Sequence, residues 1–200
     1  MPRIVLASQS KSRRTLLEDA GLKPTIIVSN VDEETDFFNA MTPEDMVIAL
    51  AISKAHTVRE MIDYPAIIIG CDSTFDVDGV SFGKPGTPEI AVERAKKISG
   101  RTGLLHTGHC VIDTERGIEI ADRVTTKVTF TDMTDEEIQD YVASGEPLHV
   151  AGGFTLDGFG SPFIPVIEGD YTNVVGISMP FLRNAMKQLG YSWPQVKEMS

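Results

Sequence analysis

The sequence predicts an α/β fold built on a mixed, twisted sheet with flanking helices. Three observations carry this expectation. Strand and helix patterns alternate along the chain. An uninterrupted apolar run over 65–71 has the character of a strand covered on both faces. Two long extended runs joined by Glu115-Arg116-Gly117 make a long antiparallel hairpin. With 200 residues, the chain is expected to fold as one domain, 1–200, and to bury its core without a disulfide or metal staple.

Taken in order, residues 3–7 form a short buried strand. Residues 10–20 form a helix, with Leu16, Leu17 and Ala20 on one face and Gly21 as its stop. A second strand is expected over 24–29. Thr42 as N-cap and Pro43 at the first helical position open a helix that runs to about Ile62. The apolar strand follows, then Val77-Asp78-Gly79-Val80, where Asp-Gly supplies the positive φ angles of a hairpin turn. Thr87-Pro88-Glu89 starts a helix that Gly100 ends. The arms of the long hairpin are 104–113 and 118–130. Thr134 and Glu137 form a capping box for a helix that stops at Gly145. Residues 150–178 are rich in glycine, and a last helix covers about 180–189.

Apolar residues make up 42% of the chain and charged residues 24%, which excludes a disordered or fibrous protein. No apolar run approaches the ~20 residues that span a bilayer, and no secretory signal is expected. Cys71 and Cys110 cannot make a disulfide framework and point to a reducing compartment, so the expected location is cytoplasmic. The net charge of −11 repels duplex nucleic acid and anionic lipid, so neither nucleic acid nor a membrane is an expected partner. An anionic small molecule would need a local cluster of Lys and Arg working against that field.

Several constellations meet this requirement. Ser8-Gln9-Ser10-Lys11-Ser12-Arg13-Arg14 lies between a strand end and the first turn of a helix, where free N–H groups and the positive dipole end favour an anion. Arg13 precedes Leu16, Leu17 and Ala20 by helical spacings and so points with the apolar stripe. The plain alternative is a capped surface helix carrying stray basic residues. Lys54 falls in the middle of the stripe formed by Val47, Leu50, Ala51, Ala55, Val58 and Ile62. A lysine there must snorkel out, lose its charge or find an anion.

Asp72 follows the apolar strand, a position suited to a metal ligand or a general base, or simply to a turn cap with Ser73 and Thr74. Gly83-Lys84-Pro85 is not a Walker A loop, because Pro85 stands where Ser or Thr should bind magnesium, but it presents a lysine from a stiff turn. The acidic run Asp32-Glu33-Glu34 is either a solvated loop or the source of a metal carboxylate. His106-x-x-His109-Cys110 lacks a second ligand pair of zinc spacing and is expected to be ordinary strand sequence. Together the cations and carboxylates make a kit for hydrolysing a phosphoanhydride with a divalent metal.

The order of motifs supports a resemblance. Leu6-Ala7-Ser8-x-Ser10-x-x-Arg13-Arg14, Val31-Asp32-Glu33, Ser53-Lys54-Ala55, Gly70-Cys71-Asp72-Ser73, Gly83-Lys84-Pro85, Thr107-Gly108, Gly145-Glu146-Pro147 and Gly169-Asp170 resemble the Maf-like nucleoside triphosphate pyrophosphatases. The resemblance runs from Ile4 to about Leu189. It implies two lobes around a deep cleft, similar to the inosine triphosphate pyrophosphatase fold, and a homodimer as an expected assembly. It also implies conversion of a nucleoside triphosphate to the monophosphate and pyrophosphate with a divalent cation: Mg, Mn or Co.

By that resemblance Asp72 is the general base and a metal carboxylate, and Glu33 helps hold the metal. Ser8, Arg13, Arg14, Lys54 and Lys84 grip the triphosphate, while Ser12, Ser73 and Asp157 select the base. The expected substrates are modified or pyrimidine nucleotides or 7-methyl-GTP. The branch linked to 7-methyl-GTP has a large aromatic at the place of Ser12 and glutamine at that of Ser73. The dTTP/UTP branch has threonine in place of Ser73 and glutamine in place of Asp157. Pro147-Leu148-His149-x-Ala151-Gly152 and Asp157-Gly158-Phe159-Gly160 are similar to the 7-methyl-GTP type. The alternatives are a nucleotide-binding regulator of cell division and septum formation with little turnover, and an enzyme acting on another phosphoanhydride such as a nucleotide sugar.

Overall fold

In the computed structural model, which describes residues 2–199, β3 (Ala66–Val77) is the strand around which the rest is arranged. One edge of β3 pairs antiparallel with β5 (Thr102–Asp113) along almost its whole length, from Ile67↔Asp113 to Asp76↔Leu104. β5 continues antiparallel into β6 (Ile118–Thr129), and β6 into the short β7 (Val166–Glu168). The other edge of β3 is shared. β1 (Arg3–Leu6) pairs parallel with its first residues, Ala66 to Ile69, and carries the two-residue β2 (Thr25–Ile26) outside it. β4 (Val80–Phe82) pairs antiparallel with its last residues, Phe75 to Val77. The sheet is therefore mixed, seven-stranded and open, in the order β2-β1-β3-β5-β6-β7 with β4 on β3.

The helices cover both faces. α1 (Lys11–Asp19), α7 (Met179–Gln188) and α8 (Trp193–Glu198) close over Ile4, Leu6, Ile67, Ile69 and Val111. α3 (Pro43–Glu60) closes over the opposite face, where Val5, Ala7, Ile68, Cys110 and Ile112 pack against Ala51, Ala55 and Val58. Beyond these, Phe75, Leu105, Val128, Phe130 and Phe154 form a third cluster, joined by Ile98 of α4 (Pro88–Ile98). Shorter helices are α2 (Asp36–Asn39), α5 (Asp135–Ala143) and α6 (Tyr171–Val175). Burial on both faces explains why 66–71 is apolar without alternation. Among the described residues no helix is long and apolar enough to cross a membrane.

The expected caps are present. Thr42 Oγ1 accepts the Asp45 N–H, Thr87 Oγ1 accepts the Ile90 N–H, and Thr134 with Glu137 closes its box. Asp78 and Gly79 take φ of 55° and 80° in the β3–β4 turn. α3 lies unusually close to the sheet because Gly70 and Gly108 have no side chain. A Cβ at Gly70 would stand 2.3 Å from the Ala51 carbonyl oxygen, and one at Gly108 2.1 Å from that of Val47.

Three expectations need correction. Asp72 is not at a strand end: β3 runs on to Val77, because the polar residues after Cys71 are held by the full ladder to β5. The strand expected over 24–29 shrinks to Thr25–Ile26, since only Val5 and Leu6 of the short β1 are left to pair with it. α2, α6, α8 and β7 lie outside the expected elements, being too short to show a periodicity.

Candidate active site

Because β1 stops opposite Ile69 and β4 ends opposite Phe75, the shared edge of β3 has no strand beside it from Gly70 to Thr74. This interval is the floor of a cleft of about 1340 Å³. The last pairing beside it is the Ala7 N–H on the Ile69 carbonyl at 2.9 Å. The next carbonyl along, that of Cys71, accepts Arg13 Nη1 at 2.9 Å instead. Ligands in α/β sheets collect where a strand ends beside a longer neighbour, and here the carboxyl end of β1 opens onto the middle of β3.

Arg13 reaches the floor because Ser10 caps α1 and turns the apolar face of that helix inward. Only 9% of Arg13 is exposed. Besides the Cys71 carbonyl, Nη1 donates to Ser8 Oγ at 3.2 Å, Nη2 to Ser73 Oγ at 2.9 Å and Nε to the Gly176 carbonyl at 2.7 Å. Four of the five guanidinium N–H groups are thereby held by the protein. Ser73 in turn meets Thr107 Oγ1 at 2.9 Å, and Thr107 donates to the Asn173 carbonyl at 3.1 Å.

On the α3 side, Lys54 is 7% exposed, as is Asp72. Its Nζ lies 2.6 Å from Asp72 Oδ1 and 2.7 Å from Glu33 Oε1. The lysine in the middle of an apolar stripe has thus found its anion, and has found two. Burial raises the Asp72 carboxyl above its ordinary range, against the pull of Lys54 and Arg13, with the Glu33 charge adding to the rise. Glu33 is less buried. Burial pushes it up, but Lys54, with Lys84 and Arg13 behind it, outweighs this and holds it below its usual range. The neighbouring Cys71 thiol is pushed by burial to about 11, so it stays protonated and inert at neutral pH.

Of the residues singled out in the sequence, the cleft is lined by Ser8, Ser12, Arg13, Glu33, Lys54, Asp72, Ser73, Lys84 and Asp157. Arg14 is not among them. It points away on the outer face of α1, its side chain 57% exposed and paired with Glu18 at 2.7 Å. Sequence reasoning missed Arg94, which also lines the cleft, as does His149 from the Pro147-Leu148-His149 motif. Arg94 Nη1 donates to the Gly83 carbonyl and so steadies the loop that carries Lys84. Its signal was one turn of α4 facing that loop, legible only once the two are known to pack together.

The charged lining comprises five cations (Lys11, Arg13, Lys54, Lys84, Arg94) and four acids (Glu33, Glu34, Asp72, Asp157). In a chain of net charge −11 this is a local reversal of sign. Among the described residues Lys11 and Lys84 make no ion pair, which leaves two unneutralised ammonium groups at the mouth. The arrangement can receive a polyanion and places a buried carboxylate beneath it.

The family model described as Maf-like protein matches residues 3–189, and the chain belongs to that family. It is similar to the nucleoside triphosphate pyrophosphatase of Streptomyces coelicolor, at 51% identity over 94% of this chain and 91% of the relative. It is 49% identical to the protein of the same name from Streptomyces avermitilis, over 97% and 94%. It is 44% identical to that of Thermosynechococcus vestitus, over 96% of each chain.

Proposed function

We propose that this chain is a nucleoside triphosphate pyrophosphatase, a hydrolase of phosphoanhydrides that converts a nucleoside triphosphate and water to the monophosphate and pyrophosphate. Family membership and the names of full-length relatives support the reaction class. The single observation that carries the site assignment is the burial of Asp72 against Lys54, on the floor of a cleft whose lining is net cationic in an anionic chain.

Asp72 is the general base. Among the described residues only its Oδ1 is hydrogen-bonded, which leaves Oδ2 to take the proton from the attacking water. The water oxygen bonds to the α-phosphorus, the bond from that phosphorus to the α–β bridging oxygen breaks, and pyrophosphate leaves with the electron pair. A carboxyl raised above its ordinary range accepts a proton better than a surface one. Lys84 and Lys11 meet the phosphates from the mouth. Arg13 holds the floor in shape and offers its one remaining N–H.

Glu33 and Asp72 converge on one point, now held by Lys54 Nζ, and two carboxylates so placed fit a hard divalent cation such as Mg²⁺, Mn²⁺ or Co²⁺. When bound, that ion supplies charge neutralisation of the phosphates. Ser12, Ser73 and Asp157 line the same cleft and are the proposed base-selecting set, for modified or pyrimidine nucleotides or 7-methyl-GTP. Their differing exposure fits this. Asp157 is open to solvent at the rim, whereas Ser73 is tied to Arg13 and Thr107. A cytoplasmic homodimer is the expected setting.

The test is pyrophosphate release from a panel of standard and methylated nucleotides with Mg²⁺ or Mn²⁺, with the monophosphate identified as co-product. Release abolished by Asp72→Asn supports the reading. Tight nucleotide binding without product favours the regulator instead, and phosphate or a sugar phosphate as product rules out the pyrophosphatase.

A further inference from the structure

α3 covers a second polar cluster at its other end, outside the cleft lining. There Glu44, in the first turn of α3, faces Asp76 of β3 and His106 of β5. One ligand atom from each lies within 4.8 Å of the other two. His106 Nε2 stands 3.9 Å from Glu44 Oε1 and 3.8 Å from Asp76 Oδ2, too far for a hydrogen bond. It has no hydrogen-bond partner, although the residue is only 2% exposed. The cost of burying an unpaired polar atom makes such a nitrogen rare without a reason.

The surroundings hold all three groups in place. The other ring nitrogen, Nδ1, meets Thr125 Oγ1 at 2.9 Å on the neighbouring strand. In the tautomer that carries its proton on Nδ1, Nε2 presents a lone pair to the same space as the two carboxylates. Asp76 is oriented by its other oxygen, Oδ1, which accepts the Gly79 N–H at 2.7 Å. The helix N-terminus accounts for Glu44. It does not account for three electron-rich atoms facing one another.

We propose that Glu44, Asp76 and His106 form a second divalent metal site, separate from Glu33 and Asp72, that clamps the N-terminus of α3 to β3 and β5. One imidazole and two carboxylates suit a borderline transition-metal ion such as zinc better than magnesium. Ligand atoms around a tetrahedral ion with bonds of about 2.0–2.1 Å lie roughly 3.3 Å apart, so small side-chain movements close the site. The Glu44 side chain is 33% exposed, which gives the ion a way in and leaves the outer position to water. Asp72 and Asp76 are four strand residues apart, about 13 Å, so the two sites are distinct.

The test uses the full chain, stripped with a chelator and without nucleotide, titrated with Zn²⁺ by calorimetry and with Co²⁺ followed by its visible absorption. Wild type is expected to bind an ion that survives Glu33→Gln with Asp72→Asn. Glu44→Gln and His106→Gln should each weaken that binding at least tenfold and abolish the Zn²⁺-dependent rise in Tm. Glu44→Gln is partly exposed and keeps the fold testable should His106→Gln misfold. Equal affinity in wild type and Glu44→Gln, or loss of all binding in the Glu33→Gln, Asp72→Asn double variant, overturns the proposal. None of these readouts depends on turnover, so they stand or fall separately from the pyrophosphatase reading.

Discussion

The two acidic clusters beneath α3 share a helix, a strand and a face of the sheet, yet they are balanced differently. At one end Lys54 sits between Glu33 and Asp72 at hydrogen-bond distance. At the other, Glu44 and Asp76 face a histidine nitrogen that pairs with neither. The first cluster carries its own cation and the second does not. In each cluster one buried aspartate stands beside a more exposed glutamate, and the difference is an ammonium group between the first pair and an imidazole nitrogen beside the second. A buried carboxylate without a counter-charge is costly, so the contrast can be tested at either end.

The largest effect is expected from Asp72→Asn. Removing the base should lower kcat by about 10²–10⁴-fold while circular dichroism shows the same fold as wild type. Lys54→Met converts the first cluster into a likeness of the second. It leaves Asp72 buried beside Glu33 with no ammonium, and the loss of one partner from a buried pair costs about 3 kcal/mol. Urea midpoints taken with a chelator should show this loss, and Mn²⁺ should restore more stability to the variant than to wild type.

Gly108→Ala tests the seating of α3 itself. The new methyl meets the backbone of Val47 and Ile48, so the helix must lift, at roughly 1–3 kcal/mol. Metal affinity at the Glu44 end and pyrophosphate release should fall together.

The contrast extends to the two histidines of β5. His109, unlike His106, has its Nε2 engaged, accepting the Ser178 N–H at 2.8 Å. Burial, reinforced by Arg13, lowers its pKa to about 3 from an ordinary 6.5. The unfolded chain takes up a proton that the folded chain refuses. This stability is therefore fully present above pH 6.5 and is lost as the pH falls from there toward about 3. His109→Gln should lose less stability between pH 7 and 4.5 than wild type does, read from urea midpoints at the two values.

The smallest effect belongs to Arg14→Ala. It deletes an exposed i,i+4 pair worth about 0.3–0.5 kcal/mol, so Tm should barely move. A large fall in turnover would show that Arg14 swings into the cleft when substrate arrives.

Much of this was legible in the sequence, for physical reasons that differ by residue. The inward turn of Arg13 and the burial of Lys54 follow from helical spacing, because a charge set into an apolar stripe has nowhere else to go. The long hairpin and the caps follow from local chemistry that tertiary context left undisturbed. The continuation of β3 past Asp72 was not legible. Ser73, Thr74 and Asp76 break the apolar run, and only the partner strand shows that they stay in the ladder. Arg14 enters the phosphate-gripping set only through the family resemblance, and helical spacing sets it 100° round α1 from Arg13, where it pairs with Glu18. The Glu44, Asp76 and His106 cluster was invisible because its members lie far apart in sequence and share no short motif.

A sheet ordinarily answers each backbone carbonyl with an amide from the strand alongside. Between the ends of β1 and β4, Arg13 performs that service for Cys71 with a side chain. One guanidinium stands in for a missing strand, and the same fork ties down α1, Ser73 and the Gly176 turn. The opening in the sheet is therefore propped by a keystone rather than framed by a hinge.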